Sequence, residues 1–90
     1  MDHAAVARRM LEALGGESNI KAAAHCATRM RLVLNDKEKI NQQALDDDPD
    51  LKGTFEAGGM FQIIVGPGDV DIVYDEFTKI TGDRQVSTEE

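Results

Sequence analysis

The sequence holds no tryptophan, one tyrosine and three phenylalanines in 90 residues, so its core is left to Ile, Leu, Val, Met and Ala. A small aliphatic core of this kind suits one domain of modest stability and leaves no room for a second. A single cysteine excludes an internal disulfide, and with only two histidines no Cys/His set has zinc-ligand spacing. No apolar run approaches the roughly 18 residues of a membrane span, and the N-terminus is too polar for a signal peptide. Bases are also scarce, with 10 Lys and Arg against 17 Asp and Glu for a formal charge of -7. Such a body repels phosphate backbones and anionic bilayers, which excludes nucleic acid as a partner and direct membrane insertion by this segment. A reducing cytoplasm fits all of these absences.

What is present reads as an alternation of short elements. Val6, Met10, Leu11 and Leu14 form one stripe of a helix expected from about Asp2 to Leu14, stopped by Gly15-Gly16. Asn19 to Ala24 reads as a strand. Thr28 to Leu34 alternates Met30, Leu32 and Leu34 with Arg29, Arg31 and Val33, the pattern of a strand with one buried face. The two strands meet in a hairpin around His25-Cys26-Ala27. Lys39 to Asp47 predicts a short helix with Ile40, Ala44 and Leu45 inward, ended by the acidic turn Asp46 to Asp50 with its proline. Thr54 to Ala57 and Met60 to Val65 form a second hairpin across Gly58-Gly59. Asp69 to Thr81 is an amphipathic helix carrying Val70, Val73, Tyr74, Phe77 and Ile80 on one face. The expected fold is α+β, in the order α-β-β-α-β-β-α. Its four-stranded antiparallel sheet has helices packed on one face. Residues 1–81 make the domain, and the polar residues 82–90 read as a disordered tail or the start of a linker.

The chemistry centres on Cys26. A lone cysteine in a small domain is most often a buried small hydrophobe. At a hairpin tip, beside His25 and three residues from Arg29, the thiol is instead exposed and close to cations that favour the nucleophilic thiolate. Backbone N–H groups of such a turn also suit phosphate oxygens. Arg29 and Arg31 share one sheet face and, with Lys21, make a basic cluster fit for an anion in an otherwise acidic chain. Thr28 offers a hydroxyl to the same oxygens. His25 points to the opposite face from Cys26, which opposes a role as general base, and His3 reads as incidental.

Other chemistries fail on spacing. Gly66-Pro67-Gly68 lacks both nucleotide-loop patterns, and Asp46 to Asp50 lacks a calcium loop's glycine and terminal glutamate. A cysteine phosphatase needs five residues between cysteine and arginine; only Ala27 and Thr28 intervene here. A disulfide oxidoreductase needs a second cysteine.

Asn19-Ile20 through Cys26-Ala27-Thr28-Arg29-Met30-Arg31-Leu32, closed by Asp36, resembles the phosphorylation-site signature of IIB domains in the glucose/sucrose family of the bacterial sugar phosphotransferase system. Gly15-Gly16, Lys52-Gly53 and Gly59-Met60-Phe61-Gln62-Ile63-Ile64-Val65-Gly66 extend the likeness over roughly residues 5 to 80. Ala24 stands where many glucose-branch members carry Asp. Ala-Ala-His-Cys-Ala-Thr-Arg looks most like sucrose-type transporters, with trehalose and β-glucoside types close behind. The resemblance implies that Cys26 accepts a phosphoryl group from a phosphohistidine on a IIA domain. It would pass the group to a sugar held by a membrane IIC domain, at the cytoplasmic face of the inner membrane. Arg29 and Arg31 would assist the second transfer and Gln62 would lie near the phosphate. No metal or organic cofactor is called for. The alternative is a non-catalytic module that binds an anion or a partner through the arginine face, with Cys26 inert.

Overall fold

A computed structural model of the chain describes residues 1–84. Three α-helices, α1 (His3–Ala13), α2 (Gln42–Asp47) and α3 (Val70–Thr81), accompany four strands, β1 (Ile20–His25), β2 (Arg29–Leu34), β3 (Gly53–Ala57) and β4 (Met60–Ile64). The sheet runs β1-β2-β4-β3 and is antiparallel throughout. Ala23, Met30, Leu32, Phe61 and Ile63 turn to the helices and meet Val6, Met10 and Leu14 near α1 and Val70, Val73 and Phe77 of α3. The expected architecture is therefore the observed one.

The register follows from the turns. Gly58 and Gly59 both take positive φ, 61° and 78°, so a two-residue turn closes β3 on β4 and pairs Ala57 with Met60. Counting outward, Phe55 stands opposite Gln62 on β4, and Gln62 opposite Arg31 on β2. These three side chains form one row on the face of the sheet away from the helices. Gly15 is required for space as well as conformation. A Cβ there would come within 2.8 Å of Lys39 Cβ and 3.1 Å of Asn19 Nδ2, at a φ of 99°.

Four details depart from expectation. The helix expected from Lys39 is two pieces, because Asp36 caps a 3-10 turn over Lys37–Lys39 and Asn41 separately caps α2. Each cap side chain accepts a nearby backbone N–H, Glu38 and Ala44 respectively. Ile40 falls between the pieces and Ala44 is exposed, since so short a helix buries only Leu45. Ile80 is likewise exposed. The buried stripe of α3 runs through Val70, Val73 and Phe77 to Thr81, leaving Ile80 at the rim of a recess between α1 and α3. His3 is engaged rather than incidental: its Nε2 donates to Asp69 Oδ1 at 2.8 Å and joins the starts of α1 and α3.

Beyond α3, the Arg84 carbonyl accepts from Ala23 N–H at 2.7 Å. Its guanidinium donates to the carbonyls of Glu17 and Ile20 and to the Glu17 carboxylate. This places residue 84 along the free edge of β1. The rest of the stretch expected as a tail, residues 85–90, lies outside the described residues.

Candidate functional site

Cys26 occupies the tip of the β1–β2 hairpin and is partly exposed. The turn is held from two sides. Cys26 N–H donates to Arg29 O at 2.9 Å across the tip. The Thr28 carbonyl accepts from both Val65 N–H at 2.9 Å and Gly66 N–H at 2.8 Å. The end of β4 and the first glycine of the loop after it therefore brace the cysteine turn.

Three donors converge on the sulfur: the backbone N–H groups of Thr28 and Arg29 and the Thr28 hydroxyl. Partial burial pushes the thiol up. These hydrogen bonds and the charge of Arg31 outweigh it and hold Cys26 below its ordinary value. The same donors that favour a thiolate can receive the oxygens of an anion attached to it.

The two arginines are placed differently. Arg31 supplies the charge felt by Cys26, and its Nε is buried with no hydrogen-bond partner among the described residues. Arg29 Nη1 donates to Gln62 Oε1 at 3.2 Å, and Arg29 Cζ lies 5.6 Å from the centroid of the Phe55 ring. Arg29, Arg31, Gln62 and Thr28 thus stand together around the hairpin tip and the open sheet face. Lys21 does not join them. It precedes Cys26 by five residues of extended chain, roughly 16 Å at the rise of a strand. His25 is also drawn away: its ring packs on Tyr74 at 4.6 Å, and its Nδ1 donates to the Cys26 carbonyl at 3.0 Å.

Phe55 went unnoticed in the sequence. The register that follows from Gly58-Gly59 would have revealed it, because that count puts an aromatic beside Gln62. No cluster of three or more His, Cys, Asp or Glu side chains among the described residues suits a metal ion. The recess between α1 and α3, lined by Ala5, Arg8, Leu11 and Ile80 among others, belongs to the helix layer and is remote from Cys26. The site is a partly exposed surface feature, and its chemistry is that of a thiol held below its ordinary value beside guanidinium groups.

The comparisons agree with this geometry. A family model described as phosphotransferase system, EIIB, matches residues 8–41, the segment that contains Cys26 and both arginines. The chain is 59% identical over 90 residues to the PTS system sucrose-specific EIIBCA component of Pediococcus pentosaceus, covering 100% of this chain and 14% of that protein. It is 50% identical over 88 residues to the sucrose-specific EIIBC component of Vibrio alginolyticus, covering 98% of this chain and 18% of that one. The chain thus spans less than a fifth of the length of these relatives. A crystal structure of one domain of the PTS system IIabc component from Clostridium difficile superimposes with a TM-score of 0.84 at 36% identity, covering 98% of this chain and 90% of that one. With the sequence signature, the sheet order and the cysteine hairpin all in agreement, the chain belongs to the EIIB family of the phosphotransferase system.

Proposed function

We propose that Cys26 is a phosphoryl carrier. The thiolate attacks the phosphorus of a phosphohistidine on a IIA domain, a P–S bond forms, the P–N bond breaks, and the imidazole leaves with its electron pair. In the second step a sugar hydroxyl attacks the same phosphorus. The P–O bond forms, the P–S bond breaks, the hydroxyl proton passes to water, and the Cys26 thiolate is regenerated. The sugar is held by a IIC membrane domain linked to this one, as the fused relatives suggest. Their names make sucrose the favoured substrate class. The domain, which includes Arg84 docked along the edge of β1, works at the cytoplasmic face of the membrane.

One observation carries the reading: a thiol held low by three converging donors and a guanidinium, at an accessible hairpin tip. Phosphoryl transfer asks a protein mainly for alignment and for charge balance around the moving group. The Thr28 hydroxyl and the turn N–H groups donate hydrogen bonds to the phosphoryl oxygens, Arg31 and Arg29 supply positive charge, and Gln62 borders them.

The test is incubation with phosphoenolpyruvate, the general phosphotransfer proteins and a cognate IIA domain, followed by intact-mass analysis. One added phosphoryl group is expected on the wild-type chain and none on Cys26→Ser. Labelling of Cys26→Ser at the wild-type level would move the acceptor elsewhere. Arg29→Lys is expected to keep labelling of Cys26 and to slow delivery to sugar; equal loss of both steps would contradict that division of roles.

A further inference from the structure

Phe55 is the only described phenylalanine with more than half its surface in water, at 55%, while Phe61 and Phe77 are buried. It lies on β3, an edge strand, where an uncovered aromatic invites association with other chains. The Arg29 guanidinium lies over its ring, and a second contact, to Gln62 Oε1, fixes the same guanidinium from the β4 side. Arg29 is paired through its backbone with Ile64 of β4, so its side chain crosses β4 to reach β3. Arg31 has no such anchor among the described residues and leaves a buried Nε unpartnered.

We infer that Phe55 is a positioning residue which, with Gln62, parks the Arg29 guanidinium on the β3 side of the open face and leaves Arg31 to the Cys26 group. The inference rests on the phosphoryl-carrier reading above. Its chemical sense comes from differential stabilisation. A second guanidinium pressed against the phosphocysteine would stabilise that intermediate before transfer and so raise the barrier to handing the group on. A cation over an exposed ring is held only weakly, so Arg29 can leave when charge builds on the transferring phosphoryl group and the departing sulfur. The charge lowering the Cys26 thiol comes from Arg31, in keeping with an Arg29 engaged elsewhere.

The experiment compares wild type with Phe55→Ala, Phe55→Leu and Phe55→Trp in two steps: phosphorylation of Cys26 by the IIA domain, and discharge of isolated phosphocysteine to sucrose in membranes that contain IIC. Leucine keeps the apolar surface and removes the ring face. The expected result is unchanged phosphorylation in all variants, discharge slowed about fivefold in the Ala and Leu variants, the rate equivalent of one exposed cation–π contact, and wild-type discharge with Trp. In the free domain, NMR should show the Arg29 Hδ protons shifted upfield by the ring in wild type and returned to ordinary values in Phe55→Leu. Wild-type discharge by Phe55→Leu, absence of the ring shift, or equal slowing of both steps would each overturn the inference. A wild-type chain that takes no phosphoryl group while showing the ring shift would defeat the carrier reading instead.

Discussion

The reactivity of Cys26 is set by groups that can be removed one at a time. Burial works against the thiolate, and the Thr28 and Arg29 N–H groups, the Thr28 hydroxyl and the Arg31 charge work for it. The rate of alkylation by iodoacetamide tracks the thiolate fraction, so its pH profile has a midpoint below that of an ordinary thiol. Thr28→Val removes the hydroxyl but keeps the backbone donors, and Arg31→Gln removes the charge. Each therefore moves the midpoint to higher pH. Arg29→Gln keeps the backbone N–H and loses a guanidinium already committed to Gln62 and Phe55, so its midpoint stays close to wild type. A larger upward move in Arg29→Gln than in Arg31→Gln would reverse the assignment of the two arginines.

At the scale of elements, the first and last residues of the Cys26 signature prove to be one structural unit. Asn19 is 1% exposed. Its Nδ2 donates to Leu14 O at 2.8 Å and to Asp36 O at 2.9 Å, while its Oδ1 accepts from Asp36 N–H at 2.8 Å. One amide thus joins the end of α1 to both ends of the β1–β2 hairpin. Asn19→Ala leaves buried backbone groups unmet and is expected to cost on the order of 3 kcal/mol, read as a lower urea midpoint with unchanged slope. Asn35→Ala removes an exposed bond to Ser18 O and should stay within about 0.5 kcal/mol of wild type. Equal losses would deny Asn19 this role. The strands around this unit were legible, because Met30, Leu32 and Leu34 alternate with Arg29, Arg31 and Val33 and Gly58-Gly59 sets the second hairpin. The break between Lys39 and Gln42 was not, since Asp36 and Asn41 are two cap residues competing within one short segment. At the site, Cys26, Thr28, Arg29, Arg31 and Gln62 were legible from the signature and its extension. The partner of Arg29 was not, because it depends on a register two strands away.

Across the whole molecule, the contacts that lock the layers join residues far apart in sequence, and no local pattern announces them. His3 meets Asp69, and Arg9 of α1 meets the acidic turn that follows α2. In the second case Arg9 donates to both oxygens of Asp48, at 2.9 and 3.0 Å, and to Asp50 at 2.9 Å. In a chain of net charge -7 this fork offsets part of the densest run of acids and fixes it against α1. The Asp48 side chain is only 6% exposed. The Arg9 hydrogen bonds pull its carboxyl below the usual carboxylate range, burial opposes them, and Asp50 N–H adds to the lowering. A carboxyl whose folded value is depressed contributes stability above its unfolded value and loses it as pH falls through the folded one. Acid therefore removes this contribution below the ordinary carboxylate range, near pH 4 and downward. Arg9→Met keeps much of the stem packing but leaves Asp48 without its partner. The variant should be less stable than wild type at neutral pH, and the gap should narrow as the buffer is taken from pH 6 down through and below the ordinary carboxylate range, as Asp48 takes up its proton in the wild type. Urea midpoints across that range read the effect. A gap that stays constant with pH would mean that Arg9 acts through packing, with the ion pair contributing nothing to the joint between α1 and the acidic turn.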